Sequence, residues 1–222
     1  MATGEVKSGI IDVGVEKNDI RTIYSLYSKV YFLVAAFEKK ARMRGIEVAM
    51  IKPDDKILEV AVGTGHSFLE FLRRVSRDNT VCGLDLTPAM LEKTRRLAVT
   101  KGYSNFDLRE GDARSLPFPD DAFDVVYNSY MMDLIPTGEF PVVLREYHRV
   151  LKKDGRLILV NLSKNNQEPI LWERLYRVNP YILGGCRPVM MEPFMRETGF
   201  REIQREFRPG ILLPTEIVTA LK

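Results

Sequence analysis

Cysteine, histidine and tryptophan are scarce in this chain, and no apolar run is long. The 222 residues include two cysteines, Cys82 and Cys186, with two histidines and one tryptophan. Two distant cysteines make neither a disulfide framework nor a paired metal site, so we expect a reducing, cytoplasmic compartment. The apolar run at 30–37 is too short to cross a bilayer. The charged residues within positions 1–20 argue against a signal peptide.

A large excess of charge of either sign is also missing. There are 33 Lys and Arg residues against 30 Asp and Glu residues, which leaves a net charge of +3. This balance is not typical of a protein that binds nucleic acid, so we expect no nucleic-acid partner. Hydrophobic residues (45%) and charged residues (28%) are in the ordinary range for a globular protein. We predict an N-terminal helical extension over 1–50 that covers a cleft, and one domain over 51–222 with an insertion near 163–190.

The most informative stretch runs from Ile57 to Phe68 and reads ILEVAVGTGHSF. It is a short apolar run containing Glu59, followed by a glycine turn and a helix start, which together predict a buried strand, a tight loop and a helix. Glycine lets the backbone approach a ligand closely, and a helix start presents unpaired N–H groups. The pattern therefore predicts a small polar cofactor at the carboxyl end of the first strand of an α/β sheet.

Strand and helix patterns alternate along most of the chain. Apolar runs predict strands near 56–61, 80–85, 106–110, 123–128, 156–161, 201–207 and 214–221. Helical periodicity predicts helices near 20–35, 36–50, 66–76, 88–101, 139–151, 169–178 and 191–198. The segment Lys152–Gly155 is interpreted as the stop of the helix before the fifth strand. This order predicts a doubly wound parallel sheet whose last two strands, with no helix between them, pair as an antiparallel hairpin.

Three acidic residues lie at predicted strand ends on the same edge of this sheet. Glu59 suits a cationic ammonium group, Asp85 can accept both hydroxyls of a ribose, and Asp112 can accept from the exocyclic amine of adenine. Taken alone, each has an ordinary alternative as a turn acid or a helix-capping acid. The third glycine of the nicotinamide fingerprint is missing, because Phe68 stands there, and this disfavours a nicotinamide oxidoreductase.

These motifs resemble those of the class I S-adenosylmethionine-dependent methyltransferases. The matching segments, within residues 50–206, are Glu59–Gly65, Gly83–Asp85, Glu110–Ala113, Phe123–Val126 and Arg145–Leu157. The resemblance implies a Rossmann-like sheet of seven strands in the order 3-2-1-4-5-7-6, with strand 7 antiparallel and N-terminal helices covering the cleft. It also implies S-adenosylmethionine as the cofactor and methyl transfer as the activity.

The resemblance also assigns roles to individual residues. The implied cofactor-binding residues are Tyr24, Glu59, Ala61, Gly63, Gly65, Asp85, Leu86, Met90, Asp112, Ala113 and Asn128. Gly63 and Gly65 are assigned to the methionine part of the cofactor, and Asp85 to its ribose hydroxyls. Leu86 and Met90 are assigned to the face of the adenine ring.

Within this superfamily the chain resembles the small-molecule branch that includes the ubiquinone/menaquinone C-methyltransferases and the bacterial phosphatidylethanolamine N-methyltransferases. The segment Asn128–Asp133 after the fourth strand lacks the Asn/Asp-Pro-Pro-Tyr signature of enzymes that methylate nucleic-acid bases, and Asn179–Tyr181 is interpreted as a turn. The implied acceptor is a small, apolar or amphipathic molecule, quinone-like or lipid-like. A non-catalytic S-adenosylmethionine-binding regulatory protein is the alternative.

The candidate acceptor contacts come from segments rich in tyrosine and methionine. They are Tyr27 and Tyr31 near the N-terminus and Tyr130 and Met131 after the fourth strand, with Met190, Met191 and Met195 as further candidates. Packing within the core explains these side chains equally well. The sequence shows no metal-ligand spacing and names no catalytic base: His148 is interpreted as structural, and His66 as part of the cofactor loop.

A basic segment follows the apolar run at 30–37. It contains Lys39, Lys40, Arg42 and Arg44. Such a segment could lie on anionic lipid as a peripheral membrane contact and collect a lipophilic acceptor. The alternative is an amphipathic helix packed on the sheet with its cationic face in solvent.

Overall fold

The computed structural model describes residue 10 and residues 31–165, 171–178, 185–210 and 214–222. At 31–37, 171, 172 and 175 it describes the backbone alone. Tyr24 and Tyr27 lie outside the described residues, and so does the side chain of Tyr31. The contacts predicted for these three tyrosines therefore stay predictions.

Seven strands of the described chain form one sheet in the order β3-β2-β1-β4-β5-β7-β6. They are β1 (Ile57–Val60), β2 (Val81–Asp85), β3 (Phe106–Glu110), β4 (Phe123–Ser129), β5 (Leu151–Leu162), β6 (Arg201–Arg208) and β7 (Thr215–Leu221). The first five strands pair in parallel, and β7 runs antiparallel between β5 and β6. The predicted topology is confirmed. Its order reverses between β1 and β4, the kind of switch point at which open α/β sheets bind ligands.

Helices cover both faces of the sheet. They are α1 (Tyr31–Val48), α2 (His66–Arg74), α3 (Pro88–Thr100), α4 (Phe140–Val150), α5 (Leu171–Val178) and α6 (Glu192–Glu197), with 3-10 turns at Met132–Leu134 and Thr137–Glu139. Apolar side chains of α1, α2 and α3 pack on one face, and those of α4 and α6 pack on the other. Because both faces are covered, every residue of β1 is buried, Glu59 included.

The first described helix differs from the prediction. The sequence predicts a change of helix near residue 35, whereas α1 runs without a break from Tyr31 to Val48. A β-carbon added at Gly45 would lie 2.6 Å from Val160 Cγ2, so this glycine lets α1 lie close to the sheet. The Tyr127 hydroxyl donates to the carbonyl oxygen of Arg42 across 3.2 Å. These long-range contacts stabilise α1 as a single helix. They cannot be predicted from the local periodicity of the sequence.

The fifth strand begins earlier than predicted. The segment Lys152–Gly155, interpreted as a helix stop, instead belongs to β5. The strand starts at Leu151, which pairs with Phe123, and the register then shifts. The Lys152 ammonium lies 2.8 Å from the Asp124 carboxylate. An ion pair to the neighbouring strand thus stabilises an extended segment that local sequence presents as a turn.

Candidate active site

The loop between β1 and α2 has the tight backbone that its glycines predict. Ala61, Gly63 and Gly65 have positive φ angles of 61°, 54° and 81°. The N–H group of Ala61 donates to the carbonyl oxygen of Leu84 across 2.7 Å, which ties the loop to β2. Helix α2 begins at His66, immediately after this loop. The unpaired N–H groups of its first turn therefore lie at the carboxyl edge of the sheet.

Gly63 and Gly65 are needed for different reasons. A β-carbon at Gly65 would lie 2.8 Å from Thr94 Oγ1 and 2.9 Å from Thr94 Cα, so this glycine allows α3 to approach the loop. A β-carbon at Gly63 would meet no atom of the described residues within 4 Å. Gly63 thus has no side chain and borders open space, so a cofactor can approach its backbone closely.

We expect Gly65→Ala and Gly63→Ala to separate stability from binding. Both force alanine into a left-handed backbone, but only Gly65→Ala adds a clash with Thr94, so its free energy of unfolding should fall by about 2–5 kcal/mol. Gly63→Ala should lose about 1–2 kcal/mol of stability and bind S-adenosylmethionine at least about tenfold more weakly. Thermal unfolding and calorimetric titration measure the two effects, with Gly138→Ala as the matched control at an open position. Equal losses of stability in both variants would contradict this division.

Asp85 ends β2 and anchors the glycine loop. Its Oδ2 accepts the N–H of Gly63 at 2.9 Å, and its Oδ1 accepts the N–H of Thr87 at 2.9 Å. Burial raises the pKa of this carboxyl, and the hydrogen bonds oppose the rise. The backbone of Leu86 and the side chain of Thr87 also donate to this carboxyl, so a ribose hydroxyl would share the carboxylate with these donors.

Glu59 is buried in β1, and its Oε2 has no hydrogen-bond partner among the described residues. Burial raises the pKa of Glu59 well above its ordinary range, the positive charge of Arg42 opposes this rise, and the negative charge of Asp85 adds to it. A buried carboxyl oxygen without a partner is unfavourable. The ammonium group of a cofactor's methionine part would supply the missing partner and favour the ionised form.

Asp112 follows β3 in a turn that Arg114 closes. The Arg114 guanidinium donates to Asp112 at 2.8 Å and to Glu139 at 2.5 Å. The sequence analysis missed Arg114, because the approach of Glu139 is a long-range contact. A contact of Asp112 with adenine would share this carboxylate with Arg114. The other three predicted adenine contacts are buried or partly buried: Leu86, Met90 and Ala113.

The end of β4 carries two buried polar residues. The amide Nδ2 of Asn128 donates to the carbonyl oxygen of Val60 across 2.8 Å, and its Oδ1 has no partner among the described residues. Tyr130 is buried with φ +54°, and its hydroxyl lies 3.1 Å from Thr215 Oγ1. Met131 packs partly buried against the core. Because Val60 leads into the glycine loop, Asn128 connects that loop with the segment predicted to contact the acceptor.

Helix α1 brings a buried ion pair to this edge. Glu38 and Arg42 are both buried, and their side chains lie 2.6 Å apart. Arg42 acts electrostatically on Glu59, and Glu38 acts on Asp133, a buried carboxylate in the turn after β4. The sequence analysis named neither Glu38 nor Asp133 as a site residue, because nothing in local periodicity shows that α1 and this turn meet.

The basic segment of α1 is divided between solvent and protein. Lys39 and Lys40 are exposed, Arg42 is buried, and the Arg44 guanidinium lies 2.9 Å from the Glu206 carboxylate. Arg42 therefore does not belong to a solvated cationic face. Within the described ranges, no helix has the length and apolar character needed to cross a membrane.

The two histidines occupy different surroundings. His66 begins α2, where partial burial and the positive charge of Arg42 lower its pKa. His148 in α4 packs edge-on against Phe200, with 5.2 Å between ring centroids. In the part of the chain that the structure describes, no group of three or more His, Cys, Asp or Glu residues could hold a metal ion.

The chain is similar to known methyltransferases. Residues 57–155 match the family described as "Methyltransferase domain". The chain is 34% identical to the uncharacterized methyltransferase YcgJ of Bacillus subtilis over 134 residues, which are 60% of this chain and 51% of that protein. It is 40% identical to the demethylmenaquinone methyltransferase of Symbiobacterium thermophilum over 114 residues, 51% of this chain and 45% of that protein. The chain thus spans about half the length of these relatives.

Solved structures share the fold over more of the chain. The YcgJ structure from Bacillus subtilis has a TM-score of 0.69 at 21% identity, covering 83% of this chain and 98% of that one. The structure of the [4+2]-cyclase SpnF has a TM-score of 0.76 at 21% identity, covering 97% and 99%. At this identity the likeness concerns the fold alone, and the second example shows that chains of one fold carry different reactions.

The matched domain, the sheet order and the loop geometry agree. Residues 57–155 match a methyltransferase domain, and S-adenosylmethionine is the cofactor that such a domain implies. The residues present fit that cofactor, since the unpaired Oε2 of Glu59 suits an ammonium group and the open side of Gly63 admits a close ligand. The individual cofactor contacts stay predictions.

Proposed function

We propose that this protein transfers the methyl group of S-adenosylmethionine to a small amphipathic acceptor of the quinol type. The observation that supports the proposal is the end of β4, where Asn128 and Tyr130 bring buried polar groups next to the apolar Met131. An acceptor with an apolar body and a polar reacting end matches such a lining. The name of the relative from Symbiobacterium thermophilum, a demethylmenaquinone methyltransferase, refers to an acceptor of this chemistry.

The residues of the glycine loop divide the work of binding the cofactor. When bound, S-adenosylmethionine supplies a methyl group attached to a cationic sulfur. The sulfur is the leaving group when a nucleophile attacks the methyl carbon in line. Glu59 binds the ammonium group, Asp85 binds the ribose hydroxyls, and the backbone at Gly63 allows close approach. Because the leaving group is already good, holding the two reactants in line supplies most of the rate enhancement.

The acceptor side combines apolar surface with a fixed hydroxyl. Met131 and Met190 are partly buried against the core, and methionine adapts its shape to an irregular ligand. Burial raises the pKa of Tyr130, and Thr215 Oγ1 lies 3.1 Å from its hydroxyl. Tyr130 therefore stays protonated at neutral pH. Such a lining suits a flat apolar ring, because the apolar side chains contact the ring and the fixed hydroxyl orients its polar substituent.

The test measures transfer from radiolabelled S-adenosylmethionine to a panel of acceptors. We expect transfer to reduced, short-chain demethylmenaquinone and none to its oxidised form, because only the quinol ring is electron-rich enough to attack. Phosphatidylethanolamine vesicles and a simple thiol complete the panel. Transfer to the lipid or the thiol alone would assign a different acceptor class. Calorimetric binding of the cofactor without transfer to any acceptor would contradict the proposal and favour the non-catalytic alternative.

A further inference from the structure

A buried carboxylate after β4 lacks the partners that such a group needs. Asp133 lies in the 3-10 turn Met132–Leu134 and is fully buried. Its Oδ2 accepts a long hydrogen bond of 3.4 Å from the N–H of Leu162, and among the described residues its Oδ1 has no partner. A buried carboxylate oxygen without a partner is unfavourable for the fold, and groups of this kind are concentrated at functional sites.

We propose that Asp133 is the catalytic base of the methyl transfer and takes the proton that the acceptor's hydroxyl group loses. The inference rests on the proposed function, because it needs an acceptor whose reacting group carries a proton. Asp133 follows Tyr130 and Met131, the residues predicted to contact the acceptor, by three and two positions. It thus belongs to the same segment as the residues predicted to contact the acceptor.

Arg187 holds the backbone of this turn. It is fully buried, and its own N–H donates to the carbonyl oxygen of Asp133 across 3.2 Å. Its guanidinium donates to the same oxygen at 3.0 Å, to the carbonyl oxygen of Ile135 at 2.6 Å and to Thr137 Oγ1 at 3.1 Å. These bonds end on carbonyl and hydroxyl oxygens, so they position the turn that carries Asp133.

The groups packed around Asp133 adjust its affinity for a proton. Burial, and then the negative charge of Glu38 on α1, raise the pKa of Asp133 to about 7, while a backbone N–H and the charge of Arg187 oppose the rise. Arg42 on the same helix is paired with Glu38, and Tyr130 is the titratable neighbour at the end of β4. A base whose pKa lies near the working pH is both ionised and basic enough to accept a proton in the reaction.

Further unpaired polar atoms lie on the neighbouring strands. Among the described residues, Asn128 has no partner for its Oδ1, and Asn161 has none for its Oδ1 or Nδ2, although both amides are fully buried. Asn128 pairs in register with Leu159, and Asn161 lies two residues further along the same face of β5, about 7 Å away along the strand. The next residue, Leu162, donates its N–H to Asp133. Buried amides bind ordered water or the polar groups of a ligand, so these atoms can hold the polar end of an acceptor.

The proposed step balances as a proton transfer followed by a displacement. The acceptor's hydroxyl gives its proton to the carboxylate of Asp133, and the resulting phenolate makes the neighbouring ring carbon nucleophilic. That carbon forms the new bond to the methyl group, while the carbon–sulfur bond breaks and its electron pair stays on sulfur. Asp133 returns its proton to the ring oxygen as the ring hydrogen leaves to water. One proton is released to solvent in each turnover.

The test compares the wild type with Asp133→Asn on reduced, short-chain demethylmenaquinone. The amide keeps the shape of the side chain but cannot take a proton at neutral pH, so we expect kcat to fall by about 10²- to 10⁴-fold. The affinity for S-adenosylhomocysteine should stay within about threefold. The wild-type rate should rise with pH through a midpoint near 7, and the variant should recover activity only where the acceptor's own hydroxyl ionises. Asp154→Asn, at an exposed aspartate, is the matched control.

Glu38→Gln provides a readout that a merely structural role of Asp133 would not change. Removing the negative charge of Glu38 lowers the pKa of Asp133, because after burial this charge is the largest cause that raises it. The rise of rate with pH should therefore move to lower pH. An unchanged midpoint in Glu38→Gln, or wild-type kcat and pH profile in Asp133→Asn, would overturn the inference.

The same variants separate a failure of this inference from a failure of the proposed function. If the wild type methylates another member of the acceptor panel, the acceptor class is wrong and the variants are compared on that substrate. If it methylates none, carbon-13 NMR of the aspartate carboxyls in the S-adenosylhomocysteine complex decides, and Asp133→Asn assigns the signal. A midpoint near 7 that falls in Glu38→Gln supports the proton affinity that the inference requires and places the failure in the proposed function. A midpoint in the ordinary range of aspartate, about 3.5–4, overturns it.

Discussion

The Asp85→Ala variant is expected to bind S-adenosylmethionine about 100- to 1000-fold more weakly than the wild type. A hydrogen bond to a charged group contributes about 1.5–3 kcal/mol, and a ribose brings two hydroxyls, so their loss corresponds to about 3–4 kcal/mol. The same carboxylate accepts the N–H groups of Gly63 and Thr87, so the variant also loosens the loop. Calorimetric titration with S-adenosylmethionine measures the loss.

Two further variants separate the lost ribose contact from the loosened loop. Asp85→Asn keeps one oxygen that can accept a backbone N–H but removes the charge. It should therefore lose less stability than Asp85→Ala does, while its affinity still falls at least about tenfold. Asp154→Ala removes an exposed carboxylate that pairs with Arg201, and should bind like the wild type. Wild-type affinity in Asp85→Ala would show that the cofactor does not bind at the end of β2.

Binding of S-adenosylmethionine is expected to release about one proton, with Glu59 as its source. Burial raises the pKa of Glu59 well above its ordinary range, so the free protein holds this proton at a pH where exposed glutamates are ionised. A cationic ammonium group beside Glu59 favours the ionised form and lowers that pKa again. Calorimetric titration at about pH 6, in two buffers with different heats of ionisation, counts the protons released.

Glu59→Gln is the decisive variant for this linkage. The amide has no proton to give up and no charge for the ammonium group, so the release should disappear and the affinity should fall by about 10- to 100-fold. Glu47→Gln, at an exposed glutamate of α1, is the matched control and should keep both the proton release and the affinity for S-adenosylmethionine. Proton release that persists in Glu59→Gln would assign the linkage to another group.

The same carboxyl should make the cofactor-free protein less stable as the pH rises. The pKa of Glu59 is higher in the folded state than in the unfolded chain, so between these two values the folded state binds more protons. The free energy of unfolding therefore falls with rising pH, by up to about 1.4 kcal/mol per pH unit for this group. Removing the group's ionisation by Glu59→Gln should leave the variant more stable than the wild type at neutral pH, although it binds the cofactor less well.

The fold could be predicted because each step of it has a local signal. Alternating apolar runs and helical periods mark the parallel strands, and the absence of a helical pattern between the last two strands marks the closing hairpin. Residues such as Glu59 and Asp85 could be assigned to one edge because parallel strands all end there. The early start of β5 could not be predicted, since Leu151 pairs with Phe123 and Lys152 contacts Asp124 on the neighbouring strand.

The candidate site, like the fold, could be predicted from the sequence only in part. The strand, the glycine loop and the acids at the strand ends could be predicted from the sequence, because the chemistry of a loop and a helix start depends on residues next to each other in the chain. The burial of Arg42 near Glu59 and the electrostatic effect of Glu38 on Asp133, 95 positions away, become visible only in the folded structure. The proton affinity of a carboxyl depends on its burial and on the charges packed around it. Both follow from how distant segments meet, so a candidate base could be named only once α1 and the turn after β4 were seen together.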